Sequence, residues 1–166
     1  MVQRAKRFKI EKLRDLLPLL HELYFRKIYT GDFLKKTIIL FFALVVVSLI
    51  LSNLLVAAGV TDLENVAESV LRIRAQAPLL LLYLLTVRPI AEEVFFRSFL
   101  VPRIGIWGST ILFAAVHVFY FSVAELIGAF ILGLILAKAF QHNKNIFPNI
   151  FAHIFYNFLA IALLVV

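Results

Sequence analysis

The stretch that decides the fold is 78–101, PLLLLYLLTVRPIAEEVFFRSFLV, because it combines a membrane-length apolar run with two adjacent glutamates and two arginines. At 1.5 Å per residue, a helix over this stretch is about 36 Å long, which exceeds the ~30 Å of hydrocarbon in a bilayer. An ionisable side chain at mid-membrane costs roughly 2.5–3.5 kcal/mol on insertion scales. The charged residues in this stretch are therefore predicted to be functional.

The composition places the whole chain in a membrane. It is 63% hydrophobic and 16% charged, whereas a soluble domain is about half apolar and about a quarter charged. The chain has no cysteine, which excludes disulfides and thiolate ligands or nucleophiles. Ten of its seventeen Lys and Arg residues fall in the first 36 positions. That pattern is typical of a juxtamembrane segment facing anionic membrane lipids, and no motif for binding nucleic acid accompanies it.

The hydrophobic pattern predicts an all-α, polytopic helical bundle with about five transmembrane helices. A basic amphipathic arm over 1–36 is expected to lie at the membrane surface, and 37–166 forms the transmembrane domain, with its motif-bearing core at 78–160. The Lys and Arg distribution predicts a cytoplasmic N-terminus and a C-terminus outside. The predicted spans are 37–59, Pro78 to about Pro102, 107–121, 124–140 and 146–166, with a short surface helix within 60–77.

Three polar residues on different spans are predicted to lie at similar depth. Counted from the inner ends of their helices, Glu92 and His117 are ~15 Å deep and His153 is ~10 Å deep. Scattered structural polar residues have little reason to agree in this way, so we expect one shared site. Glu93 and Arg97 are four residues apart and are expected to form a neutralising pair. Glu92 is rotated about 100° from Glu93 and needs another partner.

Further polar residues flank this predicted site. Asn157 lies one turn after His153 and projects in the same direction. Arg88 lies one turn before Glu92, where it either pairs with that carboxylate or extends toward the headgroups. Glu125 lies near the outer boundary, and we expect it to be interfacial.

These groups suffice for hydrolysis of a peptide bond. A carboxylate in a low-dielectric pocket can act as a general base on water, and an imidazole beside it can hold that water. A second imidazole and an amide can donate hydrogen bonds to an oxyanion. Glu92, His117 and His153 also match a catalytic zinc site with one open position, which leaves the role of base to another group such as Glu93. No HExxH motif occurs, and the sequence leaves both mechanisms open.

Three segments in order carry a resemblance to a known family. EEVFFR (92–97), FAAVH (113–117) and HIFYN (153–157) resemble the EExxxR, FxxxH and HxxxN or HxxxD pattern of the CAAX-protease and bacteriocin-processing family of intramembrane endopeptidases, also called the Abi family. The resemblance covers about 78–160. It implies an all-helical membrane core whose site opens toward the cytosol. It also implies Glu92 as the base, His117 as the residue that positions water, His153 and Asn157 as oxyanion donors, and Glu93, Arg97 and Phe113 as supporting residues.

The resemblance also implies a class of substrate. The expected partner is a peptide or protein with a membrane-proximal, and in some family members lipid-modified, C-terminal region. Family members are often described as metalloproteases, so zinc is a candidate cofactor. Prenyl-protein proteases of the family usually have more spans, which leaves prenylation of the substrate open and makes a homo-oligomer one way to enclose the site.

Two other functions fit the same residues. The first alternative is a non-catalytic membrane binding or bacteriocin-immunity protein that uses this scaffold to hold a peptide. A transporter is the second, but five spans without internal repeats or paired broken helices argue against it.

Overall fold

The computed structural model describes residues 32–164, and every secondary-structure element in that range is helical. This confirms the predicted all-α fold. The helices, which we number α1 to α6, are α1 Asp32–Ala57, α2 Glu64–Gln76, α3 Pro78–Glu92, α4 Val101–Ala115, α5 Val123–Asn143 and α6 Phe147–Leu164. A π-helix, Glu93–Leu100, joins α3 to α4, and a 3₁₀ turn, Val118–Tyr120, follows α4.

The first helix begins before the first predicted span. Residues 32–36, predicted as the end of the surface arm, form the first turns of α1, where Lys36 Nζ lies 3.4 Å from Asp32 Oδ2. The other residues of the predicted arm, 1–31, lie outside the described residues. The predicted surface helix within 60–77 is present as α2, whose Val66 and Val70 are buried.

The chain reverses direction at Gly105, which lies between the predicted second span, ending at about Pro102, and the predicted third span, 107–121. Gly105 has φ +76°, a left-handed conformation that glycine adopts without steric cost. Ser109 Oγ donates a hydrogen bond to Phe96 O. In a straight α-helix, residues 13 apart are about 20 Å apart along the axis, so this bond requires the two legs to fold back on each other.

The motif segment is not the regular α-helix that the sequence analysis assumed. From Glu93 to Leu100 the backbone is π-helical, and it begins four residues after the buried Pro89, which has no N–H to donate. Single turns of π-helix are rare and are often found at functional sites. Glu92 and Glu93 themselves keep α-helical backbone angles, and, as the predicted rotation of about 100° requires, only Glu92 of the two lines the cavity.

Three stretches of the described chain are long and apolar enough to cross a membrane: Asp32–Ala57, Pro78–Tyr120 and Val123–Asn143. The second contains both legs of the reversal at Gly105. Beside them, α6 is a shorter apolar helix. These features confirm an integral membrane bundle. The predicted third span, 107–121, is shorter than expected because its helix ends at Ala115.

The bundle core lies between α1, α5 and α6. Leu40 and Leu44 of α1 pack against Leu132 and Leu136 of α5 and Ala152 of α6. A second cluster joins the π-helix to α4 and α5, and a third closes the end of the bundle near the reversal. The second cluster consists of Phe96, Leu100, Phe113, Ala114 and Ala129, and the third of Val101, Ala137, Phe140, Ile146 and Ile150.

Candidate active site

A cavity of about 410 Å³ lies between the helices and contains the motif side chains. Its walls come from α1 to α6 and from the turn after α4. The four predicted catalytic residues all line it: Glu92, His117, His153 and Asn157. Arg88, Phe113, Tyr120 and Glu125 line it as well.

Glu93 lies behind this cavity in a fully buried network. Its side chain has no exposed surface, and the exposed fraction of Arg97 is 1%. Arg97 Nε lies 3.5 Å from Glu93 Oε2, which is the pairing expected from the sequence. His153 Nδ1 lies 2.9 Å from Glu93 Oε1, and Asn149 Nδ2 donates to Glu93 Oε2 at 3.1 Å. Both carboxylate oxygens of Glu93 are therefore engaged.

Glu92 occupies a different environment one residue earlier. Its side chain is 11% exposed and faces the cavity. Arg88 Nε donates to Glu92 Oε1 at 2.6 Å, and Arg88 Nη1 donates to the Tyr120 hydroxyl. Arg88 is therefore a partner of Glu92 and does not extend to the headgroups. Glu92 Oε2 lies 3.9 Å from His153 Nε2, so the His153 ring separates the two glutamates.

His117 follows the last turn of α4, and its ring packs on Phe113. The ring centroids are 4.7 Å apart, and His117 Nδ1 lies 2.8 Å from Phe113 O. Phe113 is 3% exposed and packs against three other groups of the site. These are Phe96 at 5.2 Å between centroids, His153 at 6.2 Å, and the Arg97 guanidinium carbon, 4.0 Å from the Phe113 centroid.

The hydrogen-bond partners fix which nitrogen each histidine presents to the cavity. A carbonyl oxygen only accepts, so Nδ1 of His117 carries a hydrogen. An ionised carboxylate also only accepts, and Nδ1 of His153 faces Glu93. Both rings therefore direct Nε2 to the cavity. Asn157 makes no side-chain hydrogen bond within residues 32–164, which leaves its amide free to bind a ligand.

A family model described as type II CAAX prenyl endopeptidase Rce1-like matches residues 74–159, more than half of the chain. The chain belongs to this family. No curated protein and no solved structure matches it significantly. The Rce1-like match covers all three motifs identified in the sequence and the helices from the end of α2 to α6.

The predicted metal ligands of this Rce1-like chain do not form a metal site in the structure. Among the described residues, no group of three or more His, Cys, Asp or Glu side chains has a geometry that could hold a metal ion. His153 Nδ1 faces Glu93, and its Nε2, the nitrogen that faces the cavity, lies 3.9 Å from Glu92 Oε2. The mechanism proposed below therefore contains no metal-dependent step.

Sequence reasoning missed three residues of the site. Asn149 is fully buried and bridges Glu93 to Leu136 O. Its signal was present in NIFAHIFYN (149–157), where Asn149 lies four residues before His153. Tyr120 carried no signal, because its contact with Arg88 spans 32 positions. Glu125, which the sequence predicted to be interfacial, was not assigned to the site, yet it lines the cavity.

The cavity occupies one half of the Rce1-like bundle. Its lining residues include Leu44–Leu55 of α1, residues of α2 and α3, Ala124–Leu136 of α5 and His153–Leu163 of α6. This is the half farther from the N-terminal end of α1, whereas the third core cluster fills the other half. The cavity therefore lies nearer the C-terminal end of α1 than its N-terminal end.

Proposed function

We propose that the chain is an intramembrane endopeptidase that hydrolyses a membrane-proximal peptide bond with water activated by Glu92. One observation carries this proposal: a carboxylate, two imidazoles and a free amide from three separate helical segments line a single cavity. Membership of the Rce1-like family supports the same reaction class.

The proposed first step is attack by water on the scissile carbonyl. Glu92 Oε2 accepts a proton from the water while the oxygen forms a bond to the carbonyl carbon. Nε2 of His117, with its hydrogen on Nδ1, accepts the second hydrogen bond of that water and orients it. The carbonyl π electrons move to oxygen and give a tetrahedral oxyanion.

The oxyanion needs donors, and two groups are positioned to supply them. The amide of Asn157 donates from Nδ2, and a doubly protonated His153 donates from Nε2. Glu93 balances the charge of that imidazolium from the other side of the ring, where the Nδ1 to Oε1 distance is 2.9 Å. Collapse of the intermediate breaks the C–N bond, and the proton held by Glu92 passes to the leaving nitrogen.

Glu93, Arg97 and Phe113 are proposed to position these groups. Glu93 fixes the His153 ring, and Arg97 neutralises Glu93 from within the same helical segment. Phe113 packs between the two imidazoles and the Arg97 guanidinium. None of these three side chains needs to contact the reacting atoms.

The first test is the isosteric variant Glu92→Gln, assayed against apolar peptides with a polar C-terminal end in detergent and in vesicles. Loss of the general base is expected to lower kcat by about 10²–10⁴-fold. Glu68→Gln, which removes an exposed carboxylate on α2, is the matched control and should keep wild-type turnover. Wild-type turnover by Glu92→Gln would show that the base is assigned wrongly. Peptide binding without any cleavage would favour the alternative of a non-catalytic binding or immunity protein.

The metal alternative has its own test. Elemental analysis of protein purified without chelator should find zinc well below one equivalent in a sample with full activity. One equivalent of zinc, with activity that is lost and regained with the metal, would contradict the proposed mechanism.

We propose that the N-terminus is cytoplasmic, because the basic residues are concentrated there. The cavity then opens toward the outer face, and a substrate must present its peptide bond from that side. Because the chain has no cysteine, single cysteines can report topology without background. Ala58→Cys, between α1 and α2, should react with an impermeant maleimide in intact cells, whereas Lys144→Cys should react only after lysis. The reverse pattern would support the cytosolic opening that the family resemblance implies.

A further inference from the structure

Glu125 lies in a sequence pattern in which the glutamate side chain normally accepts a hydrogen bond from the backbone at the start of its own helix. SVAE (122–125) matches the S-x-x-E capping box, in which the serine accepts from the N3 amide and the glutamate accepts from the serine amide. The first bond is present, because Glu125 N donates to Ser122 Oγ at 3.1 Å. The second bond is not made. Within residues 32–164, no donor forms a hydrogen bond or ion pair with the Glu125 carboxylate.

Asp62 supplies a second cap at the same end of α5. From the connector between α1 and α2 it accepts hydrogen bonds from Val123 N, Ala124 N and Ser122 Oγ. The N-terminal amides of α5 therefore have an acceptor on another segment. The side chain of Glu125 lines the cavity, where it is half-buried beside Arg88 and Glu92.

The carboxylate of Glu125 is therefore the one glutamate side chain lining the cavity that has no cationic partner among residues 32–164. The single arginine of the cavity, Arg88, is already committed to Glu92 through Nε and to Tyr120 through Nη1. Arg88 pairs with Glu92, and His153 Nδ1 faces Glu93, so the Glu125 carboxylate has no ion-pair partner among residues 32–164. A carboxylate withdrawn from water is costly unless a cation accompanies it, so the cavity favours a ligand that brings a positive charge.

We propose that Glu125 is a specificity-determining residue that pairs with a lysine or arginine side chain of the substrate, next to the scissile bond. This inference rests on the proposed endopeptidase function. Because Glu125 and Glu92 line the same cavity, the basic residue lies within a few positions of the bond that is cleaved. An apolar segment interrupted by one basic residue is the expected substrate class.

The test uses pairs of apolar peptides that differ only in carrying Lys or Gln at one position, and the position is moved stepwise through the centre of the peptide from pair to pair. At one position, wild-type protein should cleave the Lys peptide with a kcat/KM about 10- to 100-fold above that of the Gln peptide. The reason is that pairing a desolvated charge contributes at least the ~1.4 kcal/mol that corresponds to a tenfold difference. In Glu125→Gln the ratio should fall to about 1. The control Glu68→Gln should keep the wild-type ratio.

Equilibrium binding of the same labelled peptides, measured by fluorescence anisotropy, gives a readout that does not require turnover. The Lys to Gln preference in Kd should be present in wild-type protein and absent in Glu125→Gln. Cleavage with the same ratio in both proteins would overturn the assignment of Glu125 and leave the endopeptidase function intact. Charge-dependent binding that Glu125→Gln abolishes, without cleavage of any peptide, would overturn the endopeptidase function and leave the assignment of Glu125 intact.

Discussion

Gly133 on α5 provides a sharp test of how tightly the FxxxH motif is packed. A Cβ atom added at Gly133 would lie 2.7 Å from Phe113 Cδ1 and 3.2 Å from Phe113 Cε1. Ordinary carbon contacts are about 3.5–4.0 Å, so the ring must move by nearly 1 Å. The ring has little room, because it is 3% exposed and lies between Phe96 and the Arg97 guanidinium.

Gly133→Ala is therefore expected to destabilise the protein through overpacking, by about 1–3 kcal/mol. Alanine also favours the helix over glycine by up to about 1 kcal/mol, which would mask part of this cost. Gly128→Ala is the matched control for this gain in helix propensity, because Gly128 is in the same helix and a Cβ there meets nothing within 4 Å. The difference in stability between the two variants isolates the clash.

The assay is thermal unfolding of both variants in the same detergent. For a protein of this size each kcal/mol corresponds to roughly 2–4 °C in Tm. The Tm of Gly133→Ala should therefore be lower than the Tm of Gly128→Ala, by roughly 2–4 °C for each kcal/mol that the steric clash costs. Equal stability of the two variants, within about 0.5 kcal/mol, would refute the close packing of α4 on α5 that positions His117.

Two further predictions concern charged residues outside the reacting groups. Arg97→Met leaves the buried Glu93 without its cation and should lower the free energy of unfolding by about 3–5 kcal/mol. Adding Glu93→Gln should recover part of this loss. Equal stabilities of wild type and Arg97→Met would contradict the pairing. For Asp62, hydrogen bonds from the backbone N–H groups of Val123 and Ala124 lower its pKa. A depressed folded-state pKa stabilises the protein above the unfolded pKa of about 3.9, and this contribution is lost as pH falls through the folded value. Unfolding scans below pH 4 should therefore show an acid-dependent loss in wild type that is smaller in Asp62→Asn, and identical pH profiles would contradict the capping role of Asp62.

The parts of this structure that were predictable from sequence depend on local spacing. The pairing of Glu93 with Arg97 follows from their separation of four residues, and the structure contains this ion pair. The reversal near Gly105 and the short helix α2 follow from glycine and from a change in composition. The resemblance based on three motifs also led to the family that the comparison identified.

The contacts that sequence could not predict join distant positions. Arg88 meets Tyr120 across 32 positions, and Asp62 caps α5 from about 60 positions away. The capping-box pattern at Ser122 predicts that Glu125 folds back on its own helix, whereas in the structure Glu125 lines the cavity and Asp62 supplies the additional cap. The π-helix also lacks a simple sequence signal, although Pro89 removes one of the α-helical hydrogen bonds just before it.

The two adjacent glutamates illustrate how the fold assigns different tasks to identical residues. Glu93 has no exposed surface, and His153 and Asn149 engage its two oxygens, so it cannot reach a water in the cavity. Glu92 keeps Oε2 facing the cavity, 3.9 Å from His153 Nε2, while Arg88 holds only Oε1. A zinc mechanism with Glu92 as a ligand would require a different base, and the sequence offered Glu93 for that role. The burial of Glu93 and the exposure of Glu92 to the cavity therefore support the proposal that Glu92 is the base and that Glu93 orients His153.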